Sequence, residues 1–196
     1  MSETLLNLII ASLAYGGVIV CAGIGIGWLV DVGRISIEKA LDKVVDTEKR
    51  VFIINRVTFL GVIHHELAHA IIFFLTGAKV VKMQLFTLNS RSGHLGQVQV
   101  IHRGSWLLRN IQRTLGAVAP VFLGIANVTM ILSIVRNYDM YGWLDTFLYY
   151  LALSIFIHMD LSKEDVKVAL KGLPITYGVL VIIIFIIKLV QVYLLT

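Results

Sequence analysis

The sequence predicts an all-α, polytopic membrane protein of about five transmembrane helices, with one small membrane-associated β-hairpin. Of the 196 residues, 58% are hydrophobic and only 15% are charged, and the mean hydropathy is +0.86. Soluble domains of this size carry considerably more charge. The apolar residues also fall into runs long enough to cross a bilayer, which takes about 20 residues in a helix. The chain therefore has room for one membrane domain, residues 1–196, and for no sizeable soluble domain.

Five apolar runs form the expected spans, and they cover about residues 5–30, 51–76, 106–135, 141–159 and 175–195. The stretch 31–50 is the most highly charged part of the chain. It is either an amphipathic helix lying on the membrane surface or a plain charged connector. Five crossings would place this stretch on the opposite side of the bilayer from the 160–173 loop.

A β-hairpin is expected between the second and third runs, at residues 79–101. Residues 79–88 and 94–101 alternate between apolar and polar side chains, and residues 89–93 have the composition of a turn. Such a hairpin is either a simple connection or a substrate-binding element, because an exposed strand edge can pair with an extended peptide.

The second run contains the pattern His-Glu-x-x-His at residues 65–69. On a helix, His65 and His69 lie on one face, about 5–6 Å apart at Cβ, which suits two imidazole nitrogens that meet one Zn²⁺. Glu66 projects from the adjoining face, where a carboxylate can take a proton from a metal-bound water. Ionisable side chains in an apolar span are costly and are usually functional. The alternative is that these residues only line a polar seam of the helix.

Three further histidines lie close to this pattern in the sequence. His64 points about 100° away from His65 on a helix, so we expect a supporting or structural role for it. His94 and His102, in and after the hairpin, are weaker candidates for metal ligands.

A catalytic zinc site needs a third protein ligand and an open position for water. The carboxylates at the matching depth are Asp160 and Asp165, whereas Asp145 lies at the opposite end of the fourth run. Ser162 and Asp165 also have the spacing of a helix-capping pair, which gives Asp165 an alternative structural role. The residues alone leave both aspartates open as the third ligand.

The order of these features resembles the site-2 protease family of intramembrane zinc metalloproteases, in a compact form without a PDZ domain. In that family, a transmembrane helix with His-Glu-x-x-His is followed by a membrane-associated β-hairpin, a helix with a small-residue motif, and a helix whose end supplies an aspartate ligand. The same order runs here over about residues 51–175, with small residues concentrated in 116–127.

The resemblance also implies roles for individual residues. The aspartate of the family falls about where Asp165 lies, seven residues after His158. The implied Zn²⁺ ligands are therefore His65, His69 and Asp165, and the implied catalytic base is Glu66.

The expected function is that of a zinc endopeptidase that hydrolyses a peptide bond within or next to a transmembrane segment of a membrane protein. The first alternative is a non-catalytic metal-binding membrane module that acts as a sensor or as the partner of another membrane protein. The second is a metal transporter, but spans one, three and five hold almost none of the acidic or His residues that a metal path needs.

The expected partners are a membrane protein or peptide substrate and the lipid bilayer. The net charge of +5 lies in the loops, where it fits contact with anionic headgroups, so no nucleic-acid partner is expected. We expect a multi-pass integral membrane protein, and its compact size favours a prokaryotic plasma membrane.

Overall fold

The computed structural model describes residues 3–87, 95–138 and 142–195. The described part of the chain is mostly helical, with a small two-stranded antiparallel sheet, which confirms the predicted predominance of helix and the predicted hairpin. The elements are α1 (Glu3–Leu41), α2 (Thr47–Phe52), a π-helical turn (Ile53–Val57), α3 (Phe59–Leu75), β1 (Lys79–Gln84), β2 (Gln97–Ile101), α4 (Trp106–Asn137), α5 (Gly142–His158) and α6 (Lys163–Leu195).

Among the described residues, three helices are long and apolar enough to cross a membrane, namely Thr4–Leu41, Trp106–Asn137 and Lys163–Leu194. This indicates a membrane protein. Helices α3 and α5 have 17 residues each, about 26 Å of helix, which is slightly less than the thickness of a bilayer core.

The first predicted span is longer than expected, because α1 continues through much of the charged stretch and ends at Leu41. Ion pairs between neighbouring turns support this continuation, since Arg34 pairs with Asp31 at 3.0 Å and with Glu38 at 2.6 Å. The first half of the stretch 31–50 is therefore part of α1, and not a separate surface helix or a plain connector.

The predicted placement of 31–50 and of the 160–173 loop on opposite sides of the bilayer was wrong. Arg34 Nε lies 3.0 Å from Asp160 Oδ2, so the end of α1 and the turn between α5 and α6 lie at the same level. The sequence expectation counted α1 as one bilayer thickness, whereas its 39 residues extend well beyond that.

The second predicted span is broken by the π-helical turn and by Thr58. Helix α5 supplies further hydrogen bonds to the backbone groups at the break, where the Gly61 N–H also donates to Thr58 O. Ser154 Oγ donates to Thr58 O at 2.8 Å and accepts from the Gly61 N–H at 2.7 Å. His158 Nε2 lies 2.9 Å from Ile54 O. These bonds give the break one defined geometry in an apolar setting.

Helices α3 and α5 lie close together at Gly61, where an added Cβ would collide with the backbone carbonyl of Ser154. Gly61→Ala is therefore expected to destabilise the protein by about 3 kcal/mol, because backbone atoms cannot move aside as a flexible side chain can. Thermal unfolding in detergent measures the effect. Gly25→Ala is the matched control, since nothing lies within 4 Å of its added Cβ. Equal stability of the two variants would contradict the close approach.

Helix α4 lies in the middle of the bundle and packs against α3, α5 and α6.

The helix of the fifth predicted span begins earlier than residue 175, because α6 starts at Lys163 and continues through Pro174. The cap at Ser162 and Asp165 defines this start, as its spacing predicts. The early start places Asp165 on the first turn of a long helix.

The hairpin is formed by β1 and β2, which pair in antiparallel register from Lys79 opposite Ile101 to Gln84 opposite Gln97. A register irregularity lies between Val80 and Lys82. The first strand is shorter than the predicted arm of residues 79–88. The predicted turn at 89–93 lies outside the described residues.

Candidate metal centre and cleft

Helix α3 places His65 and His69 on one face, as their spacing predicts. Their Nε2 atoms are 3.1 Å apart, and their rings meet edge to face with centroids 4.7 Å apart. The His69 ring is nearly enclosed, with an exposed fraction of 7% for the residue. Both rings therefore direct the same nitrogen to a single point.

Backbone carbonyls hold the other nitrogen of each ring. His65 Nδ1 lies 2.6 Å from His158 O, and His69 Nδ1 lies 2.8 Å from Gly116 O. A carbonyl oxygen only accepts hydrogen bonds, so each Nδ1 carries the proton and donates it. In the neutral rings, both Nε2 atoms then present lone pairs. This is the arrangement that fixes the tautomer of metal-binding histidines.

Asp165 brings a carboxylate to the same point. Its Oδ1 lies 3.4 Å from His69 Nε2, and its Oδ2 lies 3.9 Å from His65 Nε2. The same side chain caps α6, because Oδ2 accepts from the Ser162 N–H at 3.0 Å. The two roles of Asp165 are thus compatible, because the cap of α6 fixes the orientation that its carboxylate needs beside the histidines.

The three side chains fit a metal ion. Each offers one donor atom, and the donors of His65, His69 and Asp165 lie within 4.8 Å of one another. Donors that share a tetrahedral Zn²⁺ at about 2.0–2.1 Å are roughly 3.3 Å apart. The two Nε2 atoms, at 3.1 Å, and the pair of Asp165 Oδ1 and His69 Nε2, at 3.4 Å, match this spacing, whereas Asp165 is farther from His65, at 3.9 Å. Two facing lone pairs and a carboxylate repel one another, and a cation at their centre relieves that repulsion.

A cleft of about 1130 Å³ opens beside the three donors. It lies between α3, the start of α6 and strand β2, and its wall includes Glu66, Gly96 and Gln97. Gly96 lies directly against the Glu66 side chain, where an added Cβ would be 2.8 Å from Oε1. The carboxylate next to the metal-binding group thus faces a space large enough for a segment of peptide.

No protein-family model, curated protein or solved structure matches this chain. The resemblance to site-2 proteases therefore remains a prediction from the residues.

His64 and His102 are not among the three donors. His64 Nε2 accepts from Asn127 Nδ2 at 2.8 Å, so it joins α3 to α4. His102 lines the cleft, and its ring contacts that of Phe73. Burial and the nearby Arg113 lower the pKa of His102, which keeps its ring neutral. His94 lies outside the described residues.

Asp160, the other candidate for the third ligand, is not part of the metal-binding group. Its carboxylate pairs with Arg34 instead. Burial raises the pKa of the Asp160 carboxyl above its ordinary value, and the charge of Arg34 opposes that shift.

Sequence reasoning missed two residues of the site. His158 supplies the carbonyl that orients His65, and its own ring binds the break before α3. An ionisable residue in an apolar helix was the signal for it. Gly96 contacts Glu66 from a segment 30 residues later, and no local pattern marks that contact.

Proposed function

We propose that the protein is an intramembrane zinc endopeptidase that hydrolyses a peptide bond within or next to a transmembrane segment of its substrate. The observation that supports this is the shared cleft: Glu66 lines the same cavity as His65, His69 and Asp165. A closed metal site with four protein ligands would favour a structural role, whereas three ligands beside an open space favour catalysis.

The donor set favours zinc among the common metals. Two imidazole nitrogens and one carboxylate are a typical catalytic zinc set, whereas Mg²⁺ and Ca²⁺ prefer oxygen ligands alone. When bound, Zn²⁺ supplies Lewis-acid chemistry, since it polarises the scissile carbonyl and acidifies water.

The residues of the chain supply the remaining chemistry. Glu66 accepts a proton from the attacking water and delivers it to the nitrogen of the leaving amine, so that the carboxylate is restored after each cycle. Gly96 leaves the space that the Glu66 side chain occupies. The carbonyls of His158 and Gly116 hold the two imidazoles in their ligating tautomer.

The substrate enters this cleft as an extended segment. A helix hides its peptide bonds behind internal hydrogen bonds and side chains, so a transmembrane helix must unwind locally before it is cut. Strand β2 forms one wall of the cleft, where it can contact the unwound segment.

We further propose that all five predicted spans enter the bilayer. The 17-residue helices α3 and α5 would lie within the bilayer beside the three long helices without both crossing it completely, since Arg34 and Asp160 lie at the same level. A multi-pass enzyme of this small size fits a prokaryotic plasma membrane.

The test is cleavage of a panel of single-span membrane substrates in liposomes, with the zinc content of each protein determined. The wild type is expected to cleave at least one substrate, and Glu66→Gln is expected to lose cleavage while it retains zinc. The loss should reach about 100- to 10,000-fold, the usual range for a general base. Removal of zinc by a chelator should stop the wild type, and added zinc should restore it.

Retained proteolysis in Glu66→Gln would refute this mechanism. Zinc in both proteins without cleavage by either would instead support a non-catalytic metal-binding module.

A further inference from the structure

Asp160 and Asp165 are the two candidates for the carboxylate ligand, and among the described residues their side chains have different partners. Asp165 Oδ1 lies 3.4 Å from His69 Nε2, whereas Asp160 Oδ2 lies 3.0 Å from Arg34 Nε. Asp160 nevertheless lies only two residues after His158, whose carbonyl is 2.6 Å from His65 Nδ1. Since both carboxylates suit a metal ion, the structure must contain a feature that selects between them.

Arg34 meets Asp160 in an orientation that its own helix determines. One terminal nitrogen of Arg34 lies 3.0 Å from Asp31 Oδ1, and the other lies 2.6 Å from Glu38 Oε1. These two pairs fix the position of the planar guanidinium, and with it the position of its charge beside Asp160. The Nε–H itself makes no hydrogen bond with a described residue, so the contact with Asp160 at 3.0 Å is an ion pair.

The backbone on either side of Asp160 is held by bonds that belong to the metal site. His158 O accepts from His65 Nδ1 at 2.6 Å, and the Ser162 N–H donates to Asp165 Oδ2 at 3.0 Å. These bonds fix the path of the turn but do not orient the Asp160 side chain. The ion pair with Arg34 orients that side chain.

We propose that Arg34 is a positioning residue that holds Asp160 away from the metal, so that Asp165 is the only carboxylate ligand and one coordination position stays open. Without the guanidinium, the Asp160 carboxylate turns toward the metal and occupies the position that catalysis needs. The proposal rests on the metal site of the proposed function but not on proteolysis.

The experiment replaces zinc by Co²⁺ in the full chain, purified in detergent, and records the visible absorption of the metal. This absorption weakens and shifts when a further ligand raises the coordination number. Arg34→Ala is expected to bind one Co²⁺ with a weaker, altered spectrum. The double variant Arg34→Ala/Asp160→Asn is expected to regain the wild-type spectrum, because the competing carboxylate is gone.

Two further variants separate this role from a merely structural one. Arg50→Ala removes the ion pairs to Glu38 and Asp42 without touching Asp160, so its Co²⁺ spectrum should match that of the wild type. Arg34→Lys keeps a cation beside Asp160 and should preserve most of the wild-type spectrum.

An unchanged spectrum in Arg34→Ala would overturn the proposal, as would an altered spectrum that persists in the double variant. If Arg34→Ala does not fold, Asp160→Asn alone decides the question. It should leave both the spectrum and the Co²⁺ affinity unchanged, and a tenfold loss of affinity would place Asp160 among the ligands and refute the proposal. None of these readouts requires a substrate, so they can fail or succeed independently of the protease hypothesis.

Discussion

Asp165→Asn is expected to lower zinc affinity roughly 100- to 1000-fold and to abolish proteolysis at ordinary zinc concentrations. The estimate divides the binding free energy of a protein zinc site, about 10–16 kcal/mol, among its ligands. The substitution replaces the anionic oxygen that lies 3.4 Å from His69 Nε2 by a neutral amide. The amide oxygen can still accept from the Ser162 N–H, so the cap of α6 is retained and the folded state remains comparable.

Competition with a chromophoric zinc chelator measures the affinity, and circular dichroism shows whether the helices remain. Asp160→Asn is the matched control, because it removes a carboxylate five residues away that pairs with Arg34. Wild-type zinc affinity in Asp165→Asn would mean that the third ligand is another residue.

Gly96→Ala is expected to lower cleavage by about 100-fold or more while zinc binding is retained. The added methyl group occupies space that the Glu66 side chain fills, with the nearest carboxylate oxygen at 2.8 Å. The carboxylate must move, and a displaced base loses much of the 10²- to 10⁴-fold contribution of general-base catalysis. Backbone strain contributes little, because Gly96 does not have a positive φ.

The measurement is the turnover rate of zinc-loaded protein on the best substrate of the panel. Gln99→Ala, in strand β2 just after Gly96, is the control, since its side chain is exposed and lies outside the cleft lining. If Gly96→Ala keeps more than half of the wild-type rate, then Glu66 is not constrained by the hairpin in the way the structure implies.

The parts of the site that the sequence predicts are those set by spacing along one element. His65 and His69 meet because four residues make about one helical turn, and Ser162 and Asp165 form a cap because their spacing is three. The hairpin follows from alternation in the same way. Each of these patterns is local, so the sequence contains the information directly.

The parts that sequence reasoning missed depend on contacts between distant segments. The pair between Arg34 and Asp160 joins residues 126 positions apart, and nothing in either neighbourhood specifies the other. Position 96 needs a glycine because the Glu66 side chain of α3 lies against it, and not because of the backbone conformation there. The break at Thr58 persists because α5 pairs its backbone groups, whereas the apolar composition of the region predicts an unbroken helix.

The donors of the metal-binding group come from two elements that lie far apart in the sequence, since His69 and Asp165 are separated by 96 positions. A bound ion would therefore act as a reversible crosslink that closes a loop containing the hairpin, α4 and α5. Because the ion binds only the assembled group, it would add about 4 kcal/mol to the free energy of unfolding at a free concentration 1000 times its dissociation constant. Metal supply would thus control how long the folded protein persists, as well as whether it can carry out chemistry.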